Sequence, residues 1–155
     1  MKFIAHRGNV AGKTNKENRP DHVLSAIEHG FDVEVDVRGY NDRLWLGHDK
    51  MDYLVSGSLL RELIPHTWFH CKNLEALEYF ASRPWLDANY FWHQQDDYTI
   101  TSHGNIWAFP GKPVSKNSVI LLPEYFGYII DMNAYGICTD FPIEMKERVE
   151  SANQS

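Results

Sequence analysis

The sequence holds only two cysteines, Cys71 and Cys138. Without a CxxC pairing they set no disulfide framework. Both lie in apolar stretches (68–72 and 135–139) and read as buried thiols of a reducing, cytoplasmic compartment. No apolar run approaches the roughly 18 residues a membrane-spanning helix needs. The start, Met1-Lys2-Phe3-Ile4-Ala5-His6, turns polar after three apolar residues, too short for a secretory signal. Positive charge is scarce: 15 Lys and Arg face 21 Asp and Glu, a formal net charge of -6. This argues against nucleic-acid binding, which wants a basic surface, but leaves room for a small anion held by a few local cations.

Internal repeats and low-complexity linkers are also lacking, so residues 1–150 read as one domain with a polar tail over 151–155. The 155 residues are 43% hydrophobic and 14% aromatic, enough to build a sizeable core and to exclude global disorder. Phe3–Ala5 is a short strand ending at His6-Arg7-Gly8, followed by a polar loop to Pro20. Apolar residues Val23, Ala26 and Ile27 predict a helix over 22–29, capped by Asp21 and ended by Gly30. From Phe31 to Val37 the pattern alternates, valines on one side and Asp32, Glu34 and Asp36 on the other, a strand signal. A short stretch, Leu44–Leu46, leads into Gly47-His48-Asp49. Helical spacing then covers 54–64, closed by Pro65. A strand comes next over 67–71, and a helix from Asn73 or Leu74 to about Ala81. Four more strands are expected, over 90–92, 106–109, 119–122 and 135–138, before a terminal helix around 143–149.

Strands alternating with helices imply parallel pairing. A complete eight-unit barrel rarely takes fewer than ~200 residues. The expected fold is therefore α/β, a compact or incomplete TIM-type barrel with several outer helices missing or shortened; an open sheet is the rival. Bare apolar surface would be covered by the five tryptophans or by a second copy in a homo-oligomer.

The chemistry lies at strand ends. In a parallel barrel the loops after neighbouring strands converge, bringing together His6 and Arg7, Glu34 and Asp36, His48 and Asp49, and His70 and Lys72. Paired carboxylates at alternating positions also suit a solvated edge strand, but the flanking valines favour burial. Buried like charges need pairing or a metal, and oxygen ligands point to Mg²⁺ or Ca²⁺. His6 and His48, each at an inferred strand end, are either satisfied histidines or an acid–base pair. Asp49 is a candidate to orient His48, against the tendency of adjacent side chains to diverge. Arg7 and Lys72 would form salt bridges or clamp phosphate oxygens. Two bases, a metal and two cations around one pocket suit phosphodiester chemistry.

These residues support a resemblance. Ile4-Ala5-His6-Arg7-Gly8, Glu17-Asn18, Val33-Glu34-Val35-Asp36-Val37 and Gly47-His48-Asp49, in that order, resemble the amino-terminal half of the glycerophosphodiester phosphodiesterase family, within the phospholipase-C-like phosphodiesterases. Gly136-Ile137-Cys138-Thr139-Asp140-Phe141-Pro142 resembles the stretch that closes that family's barrel. The resemblance implies acid–base roles for His6 and His48, phosphate contacts for Arg7 and Lys72, and a divalent metal on Glu34 and Asp36. It also implies that Glu17 belongs to the metal group, although Lys16 stands where the family has proline. Where the family has Glu-Ile-Lys, this chain has His70-Cys71-Lys72, so an imidazole replaces a carboxylate and brings Mn²⁺ or Zn²⁺ into consideration. The implied activity is metal-dependent hydrolysis of a small soluble phosphodiester. The alternatives are a phosphate-binding module that has lost turnover and a hydrolase acting on other esters. Aromatic residues of 90–98, with Trp107 and Phe109, are either pocket walls or packed strand ends.

Overall fold

The computed structural model describes residues 1–154. The fold is mixed α/β, with ten strands in one sheet and four α-helices among the described residues. In chain order the strands are β1 (Lys2–His6), β2 (Asp32–Tyr40), β3 (Arg43–Leu46), β4 (Tyr53–Val55), β5 (Thr67–Cys71), β6 (Asn89–Phe91), β7 (Tyr98–Ile100), β8 (Ile106–Ala108), β9 (Ser118–Leu121) and β10 (Gly136–Thr139). The helices are α1 (Pro20–Glu28), α2 (Gly57–Leu63), α3 (Leu74–Ala81) and α4 (Pro142–Asn153).

Seven strands pair in parallel in the order β6-β5-β2-β1-β10-β9-β8. β3 and β4 extend β2 antiparallel, and β7 pairs antiparallel with β8. β6 pairs with β5 alone, so among the described residues no ladder joins it to β8. The two ends nevertheless meet. The Phe91 and Trp107 rings lie 4.6 Å apart between centroids, and the Ser102 amide donates to the Tyr90 carbonyl at 2.9 Å.

The period-two alternation assigns each strand two faces. Val33, Val35 and Val37 of β2 join Ala5, Phe69 and Cys71 in a core packed with Val23 and Ala26 of α1, Leu60 and Leu63 of α2, and Ala76 and Phe80 of α3. A second core on the other face gathers Ile4, Trp68, Phe91, Trp107, Val119 and Cys138. Glu34 and Asp36, opposite in parity to the valines, are buried on that second face, not on an outer wall. Met145 and Val149 of α4 pack on Ile120 and Ile137.

Several elements differ from the sequence expectation. α1 begins at Pro20, whose fixed φ suits a first turn; Arg19 occupies the cap position without a side-chain capping bond, and Asp21 pairs with Arg19 at 2.6 Å instead of capping. The expected helix over 54–64 starts only at Gly57, capped by Ser56 accepting from the Leu59 amide at 3.1 Å, because Tyr53–Val55 pairs with β3. Pro65 lies in a 3₁₀ turn (Ile64–His66). β7 has no clear apolar run to mark it. α4 continues through Asn153, so most of the expected tail is helical; Ser155 lies outside the described residues.

Both cysteines are buried free thiols, and burial pushes Cys71 up to about 12 and Cys138 well above the usual thiol value. The thiolate is the reactive form, so neither should alkylate with iodoacetamide at pH 8 in the native protein, whereas both should react in denaturant; mass spectrometry would register any native labelling.

Asn73 ties α3 to the sheet. Its amide group donates to the Gly39 carbonyl and accepts from the Gly39 amide, both at 2.8 Å, while also capping the Ala76 amide at 3.2 Å. The helix sits so close that a Cβ on Gly39 would come within 2.6 Å of the Ala76 nitrogen. Asn73→Ala loses the cap and leaves the Gly39 groups unpaired, a cost of about 1–3 kcal/mol. Thermal unfolding should show the variant melting roughly 3–10 °C lower.

Candidate active site

Four neighbouring parallel strands, β5, β2, β1 and β10, deliver His70, Glu34, Asp36, His6 and Asp140, while His48 comes from the loop after the antiparallel β3. Register places Asp36 opposite His70 and Glu34 opposite His6, while Asp140 comes directly after Thr139, the partner of Ala5. The side chains thus meet because the strands are adjacent.

Glu34 is 2% exposed and Asp36 fully buried. His70 Nδ1 lies 3.4 Å from Glu34 Oε1 and 3.7 Å from Asp36 Oδ1. Its Nε2 faces the His93 carbonyl oxygen at 2.8 Å. A carbonyl only accepts, so Nε2 carries a hydrogen and, in the neutral ring, Nδ1 turns a lone pair toward the two carboxylates. Potential ligand atoms of Glu34, Asp36 and His70 all lie within 4.8 Å of one another. Glu34 Oε2 and Asp36 Oδ1 are buried without hydrogen-bond partners. Three converging acceptors with two orphaned oxygens form an arrangement that burial penalises and a cation relieves. The cluster is able to chelate a divalent metal, and the backbone-held imidazole is the usual way such a ligand is oriented.

Cations flank the cluster. Arg7 Nε lies 2.8 Å from Asp36 Oδ2, and Lys72 Nζ lies 4.0 Å from Asp36 Oδ1. Arg7 takes a left-handed backbone, φ 53°, as does Asn18, φ 63°. Such conformations cost about 1–2 kcal/mol in non-glycine residues and persist where surroundings fix them. Here the fixing is visible: the Arg7 amide donates to the Glu34 carbonyl at 2.9 Å, and the Asn18 amide donates to the Arg7 carbonyl at 3.1 Å. Asn18 also donates to Asp36 Oδ2 and accepts from the Asp36 amide, both at 2.9 Å.

Both histidines have a carboxylate behind them. His6 Nδ1 lies 2.8 Å from Asp140 Oδ1, and Nε2 points toward Glu34 Oε2 at 3.9 Å. Burial pulls the His6 pKa down, but the Asp140 bond and the Glu34 charge outweigh it and leave it raised. Burial pushes Asp140 up, yet bonds from His6, Asn9 and Tyr125 hold it below the usual carboxylate value. Glu34 obeys the same logic: burial raises its pKa, while a protonated His70 ring, His6 and Arg7 hold it below the usual carboxylate value. His48 Nδ1 lies 2.7 Å from Asp49 Oδ1, so the adjacent side chains do converge. In the same loop Gly47 has φ 149°, and a Cβ there would strike the Lys50 carbonyl oxygen. Arg38 donates twice to the His48 carbonyl, at 3.1 and 2.7 Å, pinning the turn.

His6, Arg7, Glu34, His48, His70 and Lys72 line one cavity of about 220 Å³, walled further by His93, Gln94, Trp107, Phe109, Pro110 and Leu121. Asp36 lies beneath it. Glu17 stands apart from the three-residue cluster: its carboxylate accepts from Arg7 Nη1 and Asn9, both at 3.1 Å. It buttresses the arginine, since a ligand role would require its oxygens among the other three.

Other residues complete the site without a functional signature of their own in the sequence. Asp140 and Asn18 stand inside the motif stretches, where nothing in the spacing distinguishes them as partners of His6 and Asp36. Tyr125, whose hydroxyl donates to Asp140 Oδ2 at 2.9 Å, and His93, whose carbonyl holds His70, leave no signal in spacing at all. Trp107 proves to be packed core that also forms cavity wall.

No protein-family model, curated protein or solved structure matches the chain.

Proposed function

We propose that the chain is a metal-dependent phosphoric diester hydrolase of the glycerophosphodiester phosphodiesterase kind, built on an incomplete TIM-type barrel and working in the cytoplasm. The observation that carries this reading is the cavity itself. Two carboxylate-backed imidazoles, His6 and His48, open onto the same space as Arg7, Lys72 and the Glu34–Asp36–His70 cluster.

Glu34, Asp36 and His70 would hold the cation, which when bound supplies Lewis-acid stabilisation of charge on a phosphate oxygen. Arg7 and Lys72 bind the remaining phosphate oxygens, Arg7 held in place by Glu17 and Asp36. One imidazole takes the proton from a neighbouring hydroxyl of the alcohol part as its oxygen attacks phosphorus. The other gives a proton to the departing oxygen as that P–O bond breaks, leaving a cyclic phosphate and a free alcohol. Water then opens the cyclic ester with the two roles exchanged. Asp140 and Asp49 fix each ring through Nδ1 so that Nε2 meets the substrate.

The test is hydrolysis of bis(4-nitrophenyl) phosphate, with water as nucleophile, and of glycerophosphocholine, each with Mg²⁺, Ca²⁺, Mn²⁺ or Zn²⁺. Turnover that requires a metal and vanishes on chelation supports the reading. Tight phosphate binding without turnover under any metal would assign a binding module instead, and hydrolysis of carboxylic esters alone would assign another hydrolase class.

A further inference from the structure

Asp140, which holds the His6 ring, is itself gripped by two consecutive residues that follow the neighbouring strand. β9 lies beside β10 with Leu121 opposite Cys138, so the chain leaving β9 arrives over the end of β10. Leu122 turns it there: its backbone is left-handed, φ 48°, and its amide donates to the Cys138 carbonyl at 2.8 Å. A leucine in that conformation is strained and persists where its surroundings fix it. Buried Pro123 then opens a single 3₁₀ turn, Pro123–Tyr125.

Glu124 takes the main chain. Its Oε1 accepts from the Asp140 amide at 2.8 Å and its Oε2 from the Thr139 hydroxyl at 2.9 Å. Tyr125 takes the side chain, its hydroxyl donating to Asp140 Oδ2 at 2.9 Å. The other oxygen, Oδ1, serves the His6 ring and Asn9 Nδ2, both at 2.8 Å. Asp140 is 1% exposed, and among the described residues Tyr125 is the only donor to Oδ2. A carboxylate pinned at both oxygens has one orientation. Pinned at Oδ1 alone it can rotate about its Cβ–Cγ bond, and the direction in which it receives the His6 Nδ1–H turns with it. The Tyr125 ring is half exposed and does not line the catalytic cavity, so its influence on the reaction runs through Asp140.

We infer that Tyr125 is a positioning residue for the acid–base chemistry: through Asp140 its hydroxyl fixes the tautomer and tilt of the His6 ring, while Glu124 holds the backbone from which Asp140 projects. The inference rests on the role given to His6 in the phosphodiesterase reading and adds to it a side chain that does not touch substrate. An Asp140 carboxylate held in place accepts from Nδ1–H and so keeps the Nε2 lone pair turned toward the cavity.

The experiment places Tyr125→Phe, which removes only the hydroxyl, in the full chain with His6 present and again with His6→Ala. The substrate is whichever of bis(4-nitrophenyl) phosphate and glycerophosphocholine loses turnover in His6→Ala. With His6 present, Tyr125→Phe should lower kcat roughly 10-fold with little change in KM, the lower end of what losing a supporting hydrogen bond behind an active-site group costs. In the His6→Ala background the same substitution should change nothing, because the phenol acts through that ring. An unchanged kcat, or an equal fractional loss in both backgrounds, would overturn the inference and leave the phosphodiesterase reading intact. If no ester is hydrolysed, or none depends on His6, the catalytic reading fails, and nuclear magnetic resonance decides the positioning separately. Nitrogen-15 shifts of the His6 ring are read through its carbon-bound protons in mildly alkaline solution, where the ring is neutral. The unaltered protein should show Nδ1 protonated and Nε2 bare, and Tyr125→Phe should draw the two shifts toward each other as both tautomers populate. Identical shifts in the two proteins would overturn the inference.

Discussion

His6→Ala should lower turnover of a phosphodiester by roughly 10²–10⁴-fold, the usual contribution of a positioned acid or base, with little change in KM. His48→Ala should do the same, and the double variant should lose much less than the product of the two, because in the proposed mechanism the imidazoles would act on one transition state. In the proposed mechanism Arg7 and Lys72 would still hold the phosphate, so substrate binding should survive. The leaving group separates the two histidines. The variant lacking the acid should recover most of its rate with a 4-nitrophenolate leaving group, which departs without a proton, while the variant lacking the base should not. Steady-state kinetics on the two variants with activated and unactivated esters reads this directly. Equal small losses in both, with all substrates, would remove the imidazoles from the chemistry. Asp140→Asn should fall between, since Nδ1 keeps a partner but loses a charge.

A second large effect is expected in stability. A ligand present at 100 times its Kd adds about 2.7 kcal/mol to the folded state. For a domain of this size that corresponds to a rise in Tm of roughly 5–10 °C. Adding a divalent cation to the metal-free protein should produce this rise, and chelation should reverse it. Glu34→Gln and Asp36→Asn should each abolish the shift. Their own stability without metal should differ from each other, because Asp36 also anchors Arg7 and Asn18 whereas Glu34 chiefly faces the imidazoles. Breaking the buried pair at Asp36 should cost about 3–5 kcal/mol. Differential scanning calorimetry of the three proteins, with and without cation, gives both numbers.

Much of this site was legible in the sequence because strand alternation is a strict rule. Once Val33, Val35 and Val37 are assigned to the helix-covered face, Glu34 and Asp36 must point the other way, and the structure has them buried there. The same parity places His70 and Lys72 together at the end of β5. Strand pairing supplies the rest: β2 lies between β1 and β5, so His6 and His70 fall on either side of Glu34. The approach of Asp140 to His6 was less accessible, because it depends on β10 returning beside β1 across more than a hundred residues. Glu17 illustrates a different limit. Its place near the site was legible from its motif, but whether its oxygens reach the cluster or turn to Arg7 depends on the left-handed turn at Arg7, which carries no compositional mark. Local differences trace to tertiary pairing: the apolar residues of 54–64 keep helical spacing, yet Tyr53–Val55 joins β3 because an open strand edge is available.

In the proposed mechanism Glu34, Asp36 and His70 together hold one divalent cation within reach of both imidazoles. Titration with Mn²⁺, monitored by electron paramagnetic resonance, measures this without reference to activity. One site per chain is expected, lost in Glu34→Gln and Asp36→Asn and weakened in His70→Ala, with water-proton relaxation showing an open coordination position. No Mn²⁺ bound at millimolar concentration, or a site that all three variants leave intact, would contradict it.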